Sequence, residues 1–231
     1  MNKTLQRIIA SVVIASALLI AGPWIYINLI KDDAPTALKI DATATSVDST
    51  IATITDATGT WTIANMSDSI VGYRVREILF GQSTEGVGRT KSVSGELSIA
   101  NNSVANASFS VDMTTLMSDA AKRDAQFNGR IMDVTNYPTA TFTLTQPIAL
   151  PSNATSGDII SVEATGSLLL RGTTKVVTFP VEAKLSGSTF TVVGAIKIVF
   201  SEWGIPEPGL PGISVDPDGL LEFALTFSRG K

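Results

Sequence analysis

Hydrophobic and polar positions along the 231-residue chain fall into two regimes. Residues 8–30 hold no charge, and as a helix at about 1.5 Å per residue that run can cross a hydrocarbon core of about 30 Å. Beyond residue 59 the pattern changes to period two. Trp61 and Ile63 alternate with Thr60 and Thr62, and Val71, Tyr73 and Val75 with Gly72, Arg74 and Arg76. Runs around Leu97, Phe109, Phe142 and Phe223 repeat the rhythm. Alternation of this kind puts one face in a core and the other toward water. Clusters of Gly, Asn, Pro and Ser separate the runs and mark turns. Roughly eight to ten such strands predict a closed antiparallel barrel or a sandwich. One stretch breaks the pattern. Ser118 can cap a helix running through Phe127, with a loop at Asn128-Gly129 and re-entry into a strand after Tyr137-Pro138.

The flanks of the apolar run set an expected topology. Lys3 and Arg7 precede it and Lys31, Asp32 and Asp33 follow, so residues 1–7 are expected in the cytoplasm and the rest outside. Trp24 and Tyr26 lie near the outer end, where amphipathic rings favour the headgroup layer. A cleaved signal peptide has a shorter apolar region, so the length argues for an uncleaved anchor. Pro23 is expected to kink it. Residues 31–58, rich in Ala, Thr, Ser and Asp, read as a flexible linker with an r.m.s. span on the order of 30 Å. Ile51, Thr53 and Thr55 within it alternate as a short strand would. Residues 59–231 form the expected β domain. The predicted location is the plasma membrane, single-pass, with that domain extracytoplasmic.

Composition narrows the chemistry. Hydrophobic residues are 44% and charged residues 16%, with mean hydropathy +0.28, a shift a membrane segment accounts for in part. A net charge of −4 supplies no basic surface for nucleic acid. The chain has no Cys and no His, which excludes disulfides, thiolate or imidazole metal ligands and Ser–His or Cys–His pairs. Carboxylate pairs such as Glu77 with Asp124 or Asp133 remain for acid–base work, but the expectation is a protein that is not an enzyme, with no cofactor and no metal site. Gly86-Val87-Gly88 near Lys91-Ser92 lacks phosphate-loop spacing. Asp216, Asp218 and Glu222 do not match a calcium loop, and Pro217 makes an acidic turn the better reading.

Residues 123–142, RDAQFNGRIMDVTNYPTATF, resemble the most characteristic stretch of the YceI-like domain family. The matching positions are Arg123-Asp124, Phe127, Met132-Asp133, Tyr137-Pro138 and Phe142. Gly166 to Thr173 is similar to the family's strand–Arg–Gly–Thr turn, and Trp61 with Gly72-Tyr73-Arg74-Val75 adds a third likeness. The resemblance runs from about residue 59 to 229. Two positions depart from it: Arg76, with Glu77 beside it, stands where relatives often have His, and Leu169 where they often have Thr. The resemblance implies a lipocalin-like barrel whose interior binds a polyisoprenoid: a quinone, a polyprenyl phosphate or a carotenoid. It also makes the anchor an elaboration, since many relatives are exported without one.

An isoprenoid chain needs only an apolar tunnel, and burying ten methylenes contributes on the order of 8 kcal/mol before ordering costs. Candidate lining residues are Tyr73, Val75, Phe109, Phe127, Met132, Phe142, Leu168, Leu170 and Phe223; each equally suits a filled core. Arg123 and Asp124 can meet a polar head or fix the helix to the barrel rim, the cap or ion-pair role being the stronger reading for Asp124. Arg74, Arg89, Lys91 and Arg130 are further candidates for a head group, or solvated face charges. The alternative function is an accessory subunit of a larger membrane complex, respiratory or envelope-building, with or without bound lipid.

Overall fold

The computed structural model describes residues 3–25, 33–40, 57–63, 68–79, 81–151, 157–207 and 213–229. Helix α1 covers Lys3–Ile25. Among the described residues no helix is long and apolar enough to cross a membrane. The side chains of residues 13–20 and all of residues 26–32 lie outside that set, so the expected span is described in part. The strand expected near residues 51–55 also lies outside it.

The strands are β1 (Gly59–Ile63), β2 (Ile70–Leu79), β3 (Gln82–Thr90), β4 (Val93–Ala100), β5 (Ser103–Asp112), β6 (Met117–Ser118) and β7 (Thr139–Leu144). They continue with β8 (Ile148–Ala149), β9 (Ile159–Leu170), β10 (Thr173–Ser186), β11 (Thr189–Val199), β12 (Ile213–Val215) and β13 (Asp218–Arg229). Eight close a ring in the order β1-β4-β5-β7-β9-β10-β11-β13, and β13 returns to β1 through Trp61↔Arg229, Thr62↔Ser228 and Ile63↔Phe227. Beyond that seam β13 pairs with β2 instead, and β3 and β6 continue the sheet from there. All pairings among the described residues are antiparallel, and of the barrel and the sandwich that period-two alternation left open, the barrel is the fold.

The predicted helix is α2 (Ala121–Gln126), and it runs on as a π-helical segment, Phe127–Ile131. Its cap differs from expectation. Ala120 holds the cap position without a side-chain bond, while the Asp124 carboxylate reaches back to accept from the Ser118 amide at 2.8 Å and hydroxyl at 2.6 Å. Ser118 lies two residues too early to cap, and the longer acid closes the gap from inside the helix.

The two ends of the barrel differ. At the base, Trp61 and Phe227 are 1% and 0% exposed, with Phe190 beside Trp61 at 6.0 Å between ring centres. The Trp61 indole donates to the Ala57 carbonyl at 2.7 Å, so a plug of aromatics seals that end. At the other end α2, the β2–β3 turn, the β9–β10 turn and residues 200–207 converge. Arg171 and Gly172 form that last hairpin with φ of 48° and 73°, the primed geometry a two-residue loop requires. Arg171 donates to the carbonyls of Ile131, at 2.8 Å, and Gly204. The Tyr137 ring lies over Gly172, where a Cβ would meet it at 2.5 Å. Two of the three stretches that carry the sequence resemblance, residues 123–142 and 166–173, therefore meet at one corner, clamping the helical segment to the rim.

Candidate functional site: an apolar cavity with a polar mouth

A cavity of about 500 Å³ lies between the aromatic base and α2. Its floor is a chain of rings. Phe227, Phe109, Phe142, Phe179 and Phe223 follow one another at centre-to-centre distances of 5.6, 6.2, 5.4 and 5.9 Å. Edge-on and offset contacts of this kind stabilise each pair by about 0.5–1.5 kcal/mol beyond area burial. Several rings seat on glycines of the neighbouring strand. A Cβ at Gly194 would lie 2.6 Å from the Phe223 ring, at Gly166 2.3 Å from Phe142 and at Gly88 2.3 Å from Tyr73. The glycines let rings lie flat against the wall, leaving the centre of the barrel unfilled.

All ten candidate ligand residues border this cavity. Phe109, Phe142, Leu168 and Phe223 line its lower part; Leu170, Val75 and Met132 its wall. Phe127, Tyr73 and Arg123 stand at the mouth. Tyr73 and Phe127 stack at 4.6 Å between centres and 16° between planes. Exposed Lys122 and half-buried Gln126 extend the lining to the protein surface.

The mouth is the polar part of the lining. Glu77, 6% exposed, faces inward in phase with Tyr73 and Val75. It accepts from Arg123 at 2.8 Å, and the other terminal nitrogen of Arg123 meets Asp119. Burial by itself lowers the Arg123 pKa, but the two carboxylates outweigh it and raise it. Gly86 makes room: a Cβ there would be 3.2 Å from Arg123 Nε. Burial pushes the Tyr73 phenol up to about 12; Asp124 and Glu77 add to the rise, while Arg123 and a hydrogen bond with Ser118 oppose it. The Tyr73 phenol therefore remains protonated at neutral pH.

Other candidates fall elsewhere. Arg74 and Arg89, candidates for a head group, lie on the outer wall: Arg74 is one residue out of phase with Tyr73, and Arg89 pairs with Gly72 rather than Tyr73. There they pair with Glu222 at 3.2 and 2.8 Å. Arg130 donates to the Glu207 carbonyl at 3.2 Å, and Lys91 is exposed. Asp124 serves the helix, as its structural reading anticipated. Asp133, at φ 49°, accepts from the Asn136 amide, so neither acid joins Glu77 in a pair. Glu77, which the sequence offered only as a carboxylate partner, and the glycines are the site residues absent from the candidate ligand set.

The YceI-like domain family matches residues 38–227. The chain belongs to the YceI-like domain family. The match begins before the β1 strand, taking in the end of the 33–40 segment. Among solved structures, BcnA of Burkholderia cenocepacia is similar at TM-score 0.54 and 21% identity, over 70% of this chain and 98% of that one. A polyisoprenoid binding domain from Saccharophagus degradans, implicated in plant cell wall breakdown, is similar at TM-score 0.59 and 14% identity, over 74% and 98%. The YceI protein of Campylobacter jejuni is similar at 0.51 and 15%, over 62% and 85%. At these identities the likeness is one of fold. No curated protein matches the chain.

Proposed function

We propose that this YceI-like chain is a membrane-tethered, non-catalytic binding protein for an isoprenoid lipid, with its barrel on the extracytoplasmic side. The observation that carries the reading is the cavity of about 500 Å³, apolar along its length and polar at one end. An engineered apolar cavity of roughly 150 Å³ holds benzene, so at that density this one takes on the order of 20 carbons, about four isoprene units. Its volume lies within the range of small-molecule sites, about 300–1,000 Å³. The description of the Saccharophagus degradans neighbour as polyisoprenoid-binding agrees with this ligand class. The tether rests on the uncharged run of residues 8–30 and its flanking charges, with helix α1 supplying its first part.

The mouth favours an uncharged head. Arg123 is bracketed by Glu77 and Asp119, so a phosphate arriving there meets two carboxylates along with the guanidinium. A quinone or alcohol head can exchange hydrogen bonds with the mouth without that repulsion. Purification of the full-length protein from membranes, followed by solvent extraction and mass spectrometry, tests the reading. A stoichiometric isoprenoid is the expected result; repeated preparations without lipid, together with a barrel that takes up no added polyprenol, would sink it.

A further inference from the structure

The outer wall of the barrel holds a buried charge cluster that the cavity does not use. Glu222 is 3% exposed and Arg74 9%, although both point away from the interior. In register, Glu222 on β13 lies opposite Gly72 on β2, and Gly72 lies opposite Arg89 on β3. The missing side chain at Gly72, where a Cβ would meet Arg89 Cγ at 2.9 Å, lets Arg89 reach across it to Glu222 at 2.8 Å. Arg74 reaches the same carboxylate and Glu85.

Each arginine also holds a backbone carbonyl. Arg74 Nη2 donates to the Pro35 carbonyl at 2.6 Å, and Arg89 Nη2 to the Thr36 carbonyl at 2.6 Å. Residues 33–40 are thus a strap fastened along the wall, with Arg74 and Glu222 buried beneath it. The direction of the strap can be read from its neighbours. Asp33 and Ala34 border a hollow shared with Glu85, Ser118 and Asp119, at the mouth end beside α2. The chain rejoins the barrel at Ala57 and Gly59, the latter opposite Ile99 at the base. The strap therefore descends from mouth to base, and its helix-side end leaves at the mouth.

We infer that the clamp of Arg74, Arg89 and Glu222 on residues 33–40 is a short leash that holds the cavity mouth toward the membrane. The inference rests on the anchor reading of residues 8–30. From Ile25 to Asp33 the chain spans under about 30 Å even when fully extended, whereas an unfastened tether through residue 58 reaches roughly 100 Å. Strand β10, with 14 residues, is itself about 45 Å long. A leash shorter than the barrel decides which end faces the bilayer. The lipid entrance then sits beside the phase in which the ligand dissolves.

The chain has no native Cys, so single reporters can be placed cleanly. Ser83→Cys marks the mouth end at the β2–β3 turn, and Ser188→Cys the base end at the β10–β11 turn. Each full-length protein is labelled with a donor dye and reconstituted in phosphatidylcholine–phosphatidylglycerol vesicles carrying a headgroup-labelled acceptor lipid. The expected result is several-fold stronger energy transfer from Ser83 than from Ser188. Insertion of roughly 20 Gly and Ser residues between Asp32 and Asp33, a flexible coil that leaves barrel and clamp untouched, should abolish the difference. Arg74→Lys with Arg89→Lys keeps both charges beside Glu222 but removes the fork; it should equalise the two reporters and speed tryptic cleavage after Lys39. Equal transfer from both reporters in the parent chain, with the protein still floating with vesicles, would overturn the leash and leave the anchor standing. Failure of the parent chain to float with vesicles would overturn the anchor reading, and the leash with it.

Discussion

Tyr73 illustrates how one buried side chain ties stability to pH. Its folded-state pKa is raised to about 12, above the unfolded value of about 10. The folded state thus binds the proton more tightly, and the stability this contributes is fully present below pH ~10 and lost as pH rises toward 12. The expected loss is about 2–3 kcal/mol across that window. Denaturant unfolding at pH 9, 10, 11 and 12 checks it: Tyr73→Phe, which keeps the ring on Phe127, should show a shallower fall than the parent. Glu77 belongs to the same mouth. Glu77→Gln leaves Arg123 facing Asp119, so polyprenyl phosphate should gain on the free alcohol of the same chain length. Competition against a fluorescent polyprenol reads the ratio, and an unchanged ratio would place the head elsewhere. The inward direction of Glu77 was legible, since it keeps phase with Tyr73 and Val75. The same phase set Arg74 outside, in keeping with the face-charge alternative, whereas its burial on that face was not legible. The partner Arg123, 46 residues along, could not be foreseen from spacing.

At the scale of elements, the wall of the barrel is shaped by what glycines permit. Gly88→Ala would set a Cβ 2.3 Å from the Tyr73 ring, and the ring must then turn into the cavity. The expected cost is about 1–3 kcal/mol, with weaker lipid uptake; chemical denaturation and titration with a polyprenol measure the two. Arg171→Ala removes two charge-assisted bonds that tie the rim to Ile131 and Gly204, for a loss on the order of 3 kcal/mol, seen as a lowered Tm. Period-two alternation placed most strands in the sequence because one face of each is buried. It could not place β6, β8 and β12, whose two or three residues are too few to show a period. Nor could it foresee that α2 would continue as a π-helix at the cavity mouth, since that depends on packing against Tyr73 and Ile131's clamp rather than on local propensity.

For the whole molecule, the ten candidate residues were found together around one space, yet the space itself was not legible. Apolar strand positions predict a lined interior equally well whether it is filled or hollow; the difference lies in rings seated on glycines of other strands. The cavity's size leads to a test by chain length. Affinity should rise with each isoprene unit up to about 20 carbons and then flatten, as measured by calorimetric titration of a polyprenol series. A steady rise through much longer chains would show that the barrel holds more than this void.

The three-pair seam between β1 and β13 also has a kinetic side. It joins residues 61–63 to residues 227–229, nearly the two ends of the domain, and β13 supplies edges to β1, β2 and β11 together. A growing chain cannot shut the ring until β13 has emerged. Contacts so far apart in sequence form slowly, so ring closure should come late in folding. Until then the apolar interior stays open along its side, and a ligand present at that moment can be enclosed as the ring closes.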